Sequence, residues 1–404
     1  MHFTLKKKNI ILCVCGGIAA YKSVELLRFL IKEGALVKVL MTKSAMAFVG
    51  PLTFEALSGQ TVCHDLFQEK NDGAINHIEW AKQADAVIIA PATANIIGKL
   101  ANGIADDAIT TFMLAVTSPI IICPSMNSDM FLSKPVQRNL ERLEEDGYYA
   151  LTPGEGELAC GISGPGRLPE PIEIIDRLIS HLTPDDLKGK TVLITAGPTQ
   201  EAIDPVRFIS NPSSGKMGYA FARAAENRGA NVILVTGPTN LDEPLNILIE
   251  KVRSAKEMAD MVFKHYQKAD IIIKTAAVSD YRPQTQASHK IKKDKGEMIL
   301  SLEMNQDILK ELGRRKKEQI LIGFAAETRD LAQNAEKKLK EKNLDIIVGN
   351  LIGQADSGFE SDTNKVSLFY RDGSKDSLAL MEKERLANLI LDKAVKLCQE
   401  KSKK

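Results

Sequence analysis

The sequence predicts an α/β protein in which two doubly wound, mainly parallel-sheet domains follow one another, and three observations carry that expectation. Short β-branched and aliphatic runs alternate with stretches of helical periodicity, the pattern of strand–helix–strand units. The alternation stops at the glycine- and proline-rich segment LTPGEGELACGISGPGR, residues 151–167, and starts afresh at TVLIT, residues 191–195. The length of 404 residues, 44% of them hydrophobic, suits two or three domains with sizeable cores. Both halves are therefore read as Rossmann-like, with domains at 1–188 and 189–404 and a short hinge at 183–188.

In the first half, residues 9–15 form a strand, Gly16-Gly17-Ile18 a tight turn, and Ala19 to Glu33 a helix with Val24, Leu27 and Ile31 along one face. Strands follow at 35–41, 86–90 and 119–124. The strand ends Gly16-Gly17, Pro91-Ala92-Thr93-Ala94-Asn95 and Ser125-Met126-Asn127 deliver small or polar residues to one sheet edge, where open α/β sheets bind ligands. Residues 151–167 read as a mobile flap, and 171–182 as a helix. The second half repeats the alternation with strands at 191–195, 231–236, 270–275, 320–327 and 344–348 and helices at 214–228, near 254–268, 330–342 and 382–399. A polar segment spans 280–297, and Asp372-Gly373 marks a hairpin.

Lys and Arg number 53 against 52 acidic residues, which offers no strongly basic surface to nucleic acid or membrane. The six cysteines contain no CxxC pair, as suits a reducing compartment. Lys6-Lys7-Lys8 and the apolar run after it mimic an export signal, but the run breaks at Gly16-Gly17 and an amphipathic helix follows. No segment reaches the roughly 18 apolar residues of a spanning helix. A cytoplasmic protein is expected.

Residue by residue, the chemistry stays open. His77 stands alone at a helix start, where a histidine is more often structural than catalytic. Cys160 lies in the flap, and spacing does not separate a reactive thiol from an idle one. Asn127 could cap a helix or hold a ligand. Ser213-Ser214-Gly215-Lys216-Met217-Gly218 opens a helix after a strand and a Gly/Pro loop, a cradle for anions. Its spacing is not GxGxxG, so an ordinary dinucleotide fold does not follow. Lys290 sits in the polar segment, where a solvated basic face is the commoner reading. Lys338 and Lys342 share a helix face, and several cations aimed at one sheet edge suit a nucleoside triphosphate and a phosphorylated acid.

Taken together, Gly16-Gly17-Ile18-Ala-Ala-Tyr-Lys22, Met41-Thr42-Lys-Ser-Ala45, Ala90-Pro-Ala-Thr-Ala-Asn95, Gly103-Ile-Ala-Asp-Asp107, Pro124-Ser-Met-Asn127 and Ala159-Cys160-Gly161 resemble the flavin-dependent cysteine decarboxylases. Gly197-Pro-Thr-Gln-Glu201, Ser210-Asn211-Pro-Ser-Ser-Gly-Lys-Met-Gly218, Lys290-Ile-Lys-Lys293 and Gly323-Phe-Ala-Ala-Glu-Thr328 resemble the phosphopantothenate–cysteine ligases. In this order the two are similar to the bifunctional bacterial coenzyme A biosynthesis family. Ser125 is a small departure, standing where that motif has alanine.

For the first half the resemblance implies a flavoprotein-like fold that binds FMN through Gly16, Gly17, Thr42, Ala92, Thr93 and Met126. It also implies decarboxylation of 4'-phosphopantothenoylcysteine through a thioaldehyde and an ene-thiol. His77 would act in the oxidative decarboxylation, Asn127 would hold the carboxylate and amide, and Cys160 would supply the proton. For the second half it implies a ribokinase/Rossmann-like fold in which CTP activates 4'-phosphopantothenate as an acyl-cytidylate that the amine of cysteine attacks. Asn211 would bind that intermediate, with Arg207 a weaker candidate. Lys290, Asp280, Asn305, Gln306, Asp307, Ile308, Phe324, Lys338 and Lys342 would hold CTP, with Mg2+ beside its phosphates. His265 and His289 are given no catalytic part. FMN sites in trimers and dimers of the ligase half would combine into a homo-oligomer as large as a dodecamer. His77, the Pro124–Asn127 motif and a ligase half argue against a prenyltransferase-like or peptidyl-cysteine decarboxylase. The presence of both His77 and Cys160 argues against a non-enzymatic flavin-binding subunit.

Overall fold

A computed structural model describes residues 5–65, 76–157, 161, 163–292, 298–327, 329–351 and 361–402. The chain forms two compact units that divide between Thr183 and Pro184.

The first unit runs β1 (Asn9–Val14), α1 (Ala20–Lys32), β2 (Leu36–Met41), α2 (Pro51–Ser58), α3 (Asn76–Gln83), β3 (Ala86–Ala92), α4 (Ala94–Ala101), α5 (Ala108–Met113), β4 (Ile120–Pro124), α6 (Ser128–Leu132), α7 (Lys134–Glu145), β5 (Tyr149–Ala150), β6 (Gly154–Glu157), β7 (Ser163–Arg167) and α8 (Pro171–Leu182). Five parallel strands lie in the order β2-β1-β3-β4-β5. Helices cover both faces, so β1, β3 and β4 read as nearly unbroken apolar runs. One core packs α1 and α8 against the sheet, and the other packs α4, α5 and α7. This is the flavodoxin-like strand order, whose reversal of winding leaves a crevice between β1 and β3.

Two expectations change. In α1 the buried face is Ala20, Ser23, Leu26, Leu27 and Leu30, while Ile31 is 37% exposed. The face turns because two small residues approach the sheet, where the Ser23 hydroxyl donates to the Ala90 carbonyl at 2.7 Å. The segment read as a flap carries antiparallel pairing between β6 and β7, so its described part is a hairpin.

The second unit runs β8 (Thr191–Ala196), β9 (Gln200–Ala202), β10 (Phe208–Ser210), α9 (Lys216–Glu226), β11 (Asn231–Thr236), β12 (Leu248–Lys251), α10 (Ala255–His265), β13 (Ile271–Lys274), β14 (Tyr281–Pro283), β15 (Leu302–Met304), α11 (Ile308–Arg315), β16 (Ile320–Glu327), α12 (Leu331–Glu341), β17 (Ile346–Leu351), β18 (Thr363–Asn364), β19 (Val366–Tyr370), β20 (Lys375–Ser377), β21 (Met381–Glu382) and α13 (Lys383–Ser402). The main sheet has eight strands in the order β12-β11-β8-β13-β16-β17-β19-β20. The first six are parallel and the last two antiparallel. Those six follow the 3-2-1-4-5-6 winding of dinucleotide-binding sheets, although the glycine spacing after β8 is not theirs. Their crevice opens between β8 and β13. Among the described residues no helix is long and apolar enough to cross a membrane.

Arg228 ties the ends of this unit together. Arg228 is 4% exposed; its guanidinium pairs with Asp186 at 2.5 Å and Asp392 at 2.9 Å, and donates to the Asn388 carbonyl at 3.2 Å. Arg228→Ala strands those groups, but both carboxylates keep partial access to water. The expected cost is about 2–3 kcal/mol, read as a lower urea midpoint for the second unit.

Candidate functional sites at two sheet edges

In the first unit a cavity of about 1090 Å3 opens at the C-terminal ends of β1, β3 and β4. Gly16 comes so close to the turn after β2 that a Cβ there would lie 2.3 Å from the Ser44 Cβ. Gly17 faces Thr93, which caps α4 by accepting from the Ile96 N–H. Asp107 caps α5, accepting from the Thr110 N–H at 2.9 Å and pairing with Lys99 at 3.0 Å. Burial would raise its pKa, but those bonds outweigh it and hold the carboxyl below its ordinary value. Asn127 caps α6: its Oδ1 accepts from the Asp129 N–H at 2.8 Å.

The hairpin is clasped to the loop after β4. The Met126 N–H donates to the Gly166 carbonyl at 3.0 Å, and a Cβ on Gly166 would stand 2.2 Å from the Met126 carbonyl oxygen. Gly16, Gly17, Thr42, Thr93, Met126 and Asn127 all line the cavity. The Ala92 methyl is wholly buried in the core, and its carbonyl accepts from the Ser125 N–H at the rim. The side chain of His77, at the start of α3, and all of Cys160 lie outside the described residues. Cys13, Cys15 and Cys123 are core residues whose thiols burial pushes up, Cys15 to about 12.

In the second unit the loops leaving β8 and β13 are knitted together. The Asn211 amide Nδ2 donates to the Ala277 carbonyl at 3.2 Å, the Ser210 hydroxyl to the Thr199 carbonyl at 2.8 Å, and the Ser279 N–H to the Thr199 hydroxyl at 3.0 Å. Asn305 extends the network, its Nδ2 donating to the Ser279 carbonyl and its N–H to the Asp280 carbonyl. Buried Asp204 accepts from the N–H groups of Val206, Arg207 and Ile291, and Arg207 donates to the Ile291 carbonyl at 2.8 Å. Arg207 and the exposed Lys290 thus stand on two loops tied to each other.

The residues expected around the nucleotide divide between the two faces of the sheet. Asp307 caps α11 and pairs with Lys342 at 2.8 Å, and Lys338 pairs with Glu327 at 2.6 Å. Asp280 and Gln306 are exposed nearby in sequence, on the loops flanking β14 and β15. In the turn 305–308 the Ile308 side chain is 2% exposed and packs in the core, so this residue offers its backbone to a ligand. Phe324 faces the other side, where a cavity of about 70 Å3 is lined also by Gly215, Lys216, Thr275, Asn350 and Lys383. Gly218 makes that approach possible, since a Cβ would lie 2.4 Å from the Ala196 Cβ. Burial, with Lys216 nearby, brings the Lys383 ammonium down to about 8.

Residues 2–183 match the family model described as Flavoprotein. Residues 187–397 match that of the DNA/pantothenate metabolism flavoprotein C-terminal domain. The coenzyme A biosynthesis bifunctional protein CoaBC of Bacillus subtilis strain 168 is 51% identical over 400 residues, 98% of each chain. The chain belongs to the coenzyme A biosynthesis bifunctional protein family. The namesake from Escherichia coli strain K12 is 44% identical over 406 residues, 99% of this chain and 100% of that one. A crystal structure of the C-terminal domain of CoaBC is 46% identical, covers 54% of this chain and 99% of that chain, and superposes with a TM-score of 0.47.

In this family member, two groups stand at the sites without having been singled out in the sequence. Arg167 lines the first cavity and closes a glycine-rich stretch that reads as loop; Asp106, in the motif Gly103–Asp107, lines it too. Lys274 ends β13 and falls inside the apolar strand expected at 270–275. Nothing in its spacing marks it.

Proposed function

We propose that residues 189–404 join cysteine to 4'-phosphopantothenate at the expense of CTP, and that residues 1–188 decarboxylate the product to 4'-phosphopantetheine with FMN. The observation that carries this reading is the cavity of about 1090 Å3 at the β1/β3 switch point, on a chain whose other unit gathers cations at its own switch point. The first cavity fits FMN: the close approach of Gly16 to Ser44 and the small rim residues leave room for a flat ring system and a phosphate. Gly16, Gly17, Thr42, Thr93 and Met126 would hold it. When bound, FMN supplies the two-electron chemistry that gives a carboxylate beside an amide nitrogen an electron sink, which no side chain offers.

The chain's own residues do the rest. Asn127, whose Oδ1 caps α6 at the cavity edge, would hold the substrate carboxylate and amide. His77 on α3 would serve the carboxylate-loss step, and Cys160, between β6 and β7, would deliver a proton to the substrate carbon. Ile18 and Tyr21, 63% and 61% exposed at the cavity rim, suit a rim that a second copy covers, in keeping with a homo-oligomer whose flavin sites lie between subunits.

A carboxylate does not form an amide unaided at neutral pH, and activation by CTP meets that need. Asn211 would hold the acyl-cytidylate with Arg207 beside it, and Lys290 would close over the phosphates on the loop tied to Arg207. Asp280, Asn305, Gln306, Asp307, Phe324, Lys338 and Lys342 would bind the nucleotide. Among the described residues no three His, Cys, Asp or Glu side chains gather as a metal site. Mg2+ would be held mainly by the phosphates of CTP and by water. A cytoplasmic location belongs to the same reading, which the buried thiols of Cys13, Cys15 and Cys123 suit.

Purified protein should show a flavin absorbance near one per chain. It should also release pyrophosphate from CTP only when 4'-phosphopantothenate is supplied. Colourless protein that cannot be reconstituted with FMN would count against the first site. Absence of pyrophosphate with CTP, 4'-phosphopantothenate and cysteine all present would sink the second.

A further inference from the structure

Lys274 closes β13, one of the two strands that frame the crevice of the second unit. Side chains alternate along a strand. Ile272 packs into the core that holds Leu309, Leu312 and Leu339, so Lys274, two residues on, lies on the same α11/α12 face. Asp307 and Lys342 face it there from α11 and the end of α12, Lys338 from within α12, and Asp280 from the loop before β14.

The cations of this cluster are not equivalent. Lys342 has Asp307 and Lys338 has Glu327 within hydrogen-bonding distance. Among the described residues Lys274 forms no such pair; its Nζ donates to the Ala276 carbonyl at 3.1 Å. That carbonyl belongs to the loop Ala276-Ala277 that Asn211 also grips. A partly buried ammonium held by one neutral acceptor is short of counter-charge, and the crevice is where an anionic substrate would enter.

We propose that Lys274 binds a substrate oxyanion in this site, taking up a proton as the ligand arrives. The inference rests on the ligase reading given above and adds to it a residue and a coupled proton. Burial, reinforced by Lys342, brings the free ammonium down to about 8. An anion alongside favours the charged form and raises that value. Binding therefore draws in a proton above about pH 8, where free Lys274 is largely neutral, and none near pH 6.5, where it is already charged.

Calorimetric titration of the full-length protein at pH 8.5, in buffers of differing ionisation enthalpy, measures the uptake. CTP and 4'-phosphopantothenate, added separately, identify which substrate carries the oxyanion. One of them should bind with uptake of about half a proton or more per site, falling towards zero at pH 6.5. Lys274→Met should abolish that excess and weaken the same ligand by about 10-fold or more. Lys274→Arg should keep the affinity within about 3-fold yet lose the uptake, because a guanidinium is always charged; it also decides the matter if the methionine variant does not fold. Uptake and affinity unchanged in the variants would overturn the inference while leaving the ligase reading intact. Wild-type protein that binds neither ligand would overturn the ligase reading itself, and this inference with it.

Discussion

An Asn211→Ala chain should lose about 10²–10³-fold in CTP-dependent ligation while it decarboxylates supplied 4'-phosphopantothenoylcysteine at the wild-type rate. Asn211 follows β10 and reaches across the crevice to the Ala277 carbonyl at 3.2 Å, so it joins the loop after β8 to the loop after β13 where the parallel sheet changes its winding. Alanine removes that brace and the polar group expected to hold the acyl-cytidylate. A group that meets an intermediate more closely than the free nucleotide should alter turnover more than nucleotide affinity. CTP binding is accordingly expected to stay within about 3-fold of wild type while pyrophosphate release and amide formation fall together. Asn211→Asp keeps the shape but sets a carboxylate against the Ala277 carbonyl and an incoming phosphate, and should be no more active than alanine. Wild-type ligation by either variant would remove Asn211 from the site, and parallel loss of decarboxylation would mean a folding defect.

Much of this arrangement was legible because it is local. Apolar runs that end at glycine mark β1 and β8, an apolar run between polar residues marks β13, and the helix expected at 171–182 is α8 to the residue. Periodicity failed where packing chose between similar faces, as in α1, whose small residues Ala20 and Ser23 lie against the sheet in place of Ile31. Strand order has no local signature. The Asp372-Gly373 hairpin could be read, but not that β19 and β20 would extend the main sheet antiparallel to β17.

The same limit governs the sites. Motif resemblance supplied Gly16, Thr93, Asn127 and Asn211, and the structure sets them at two sheet edges. It could not separate a residue whose side chain meets the cavity from one whose backbone does: the side chains of Ala92 and Ile308 lie in the core. Nor could it divide Phe324 from Lys338 and Lys342, since the face a strand residue takes depends on which helices cover each side of the sheet. Lys274 was invisible for that reason.

Gly166→Ala should cost the decarboxylase roughly 10²-fold or more and leave ligation untouched. Gly166 has φ of +142°, a region L side chains rarely adopt. Its missing Cβ is what lets β7 lie against the loop after β4, because the added methyl would stand 2.2 Å from the Met126 carbonyl oxygen. That oxygen is backbone and has little room to yield, so the hairpin must lift and the bond from the Met126 N–H to the Gly166 carbonyl must lengthen. Two groups then move relative to each other: Met126-Asn127 at the cavity edge, and the segment between β6 and β7 that contains Cys160. The outcome differs from that of removing the thiol alone. Cys160→Ser should still release CO2 but stop short of 4'-phosphopantetheine, because the role proposed for this thiol is only protonation of the substrate carbon. Gly166→Ala disturbs Asn127, the residue proposed to hold the carboxylate, as well, so CO2 release and thiol product should fall together. Trapped CO2 and product thiol, measured in parallel for both variants, separate the two roles. Normal CO2 release by Gly166→Ala would show that the hairpin does not position Asn127, and normal product formation by Cys160→Ser would take the proton-donor role from that thiol.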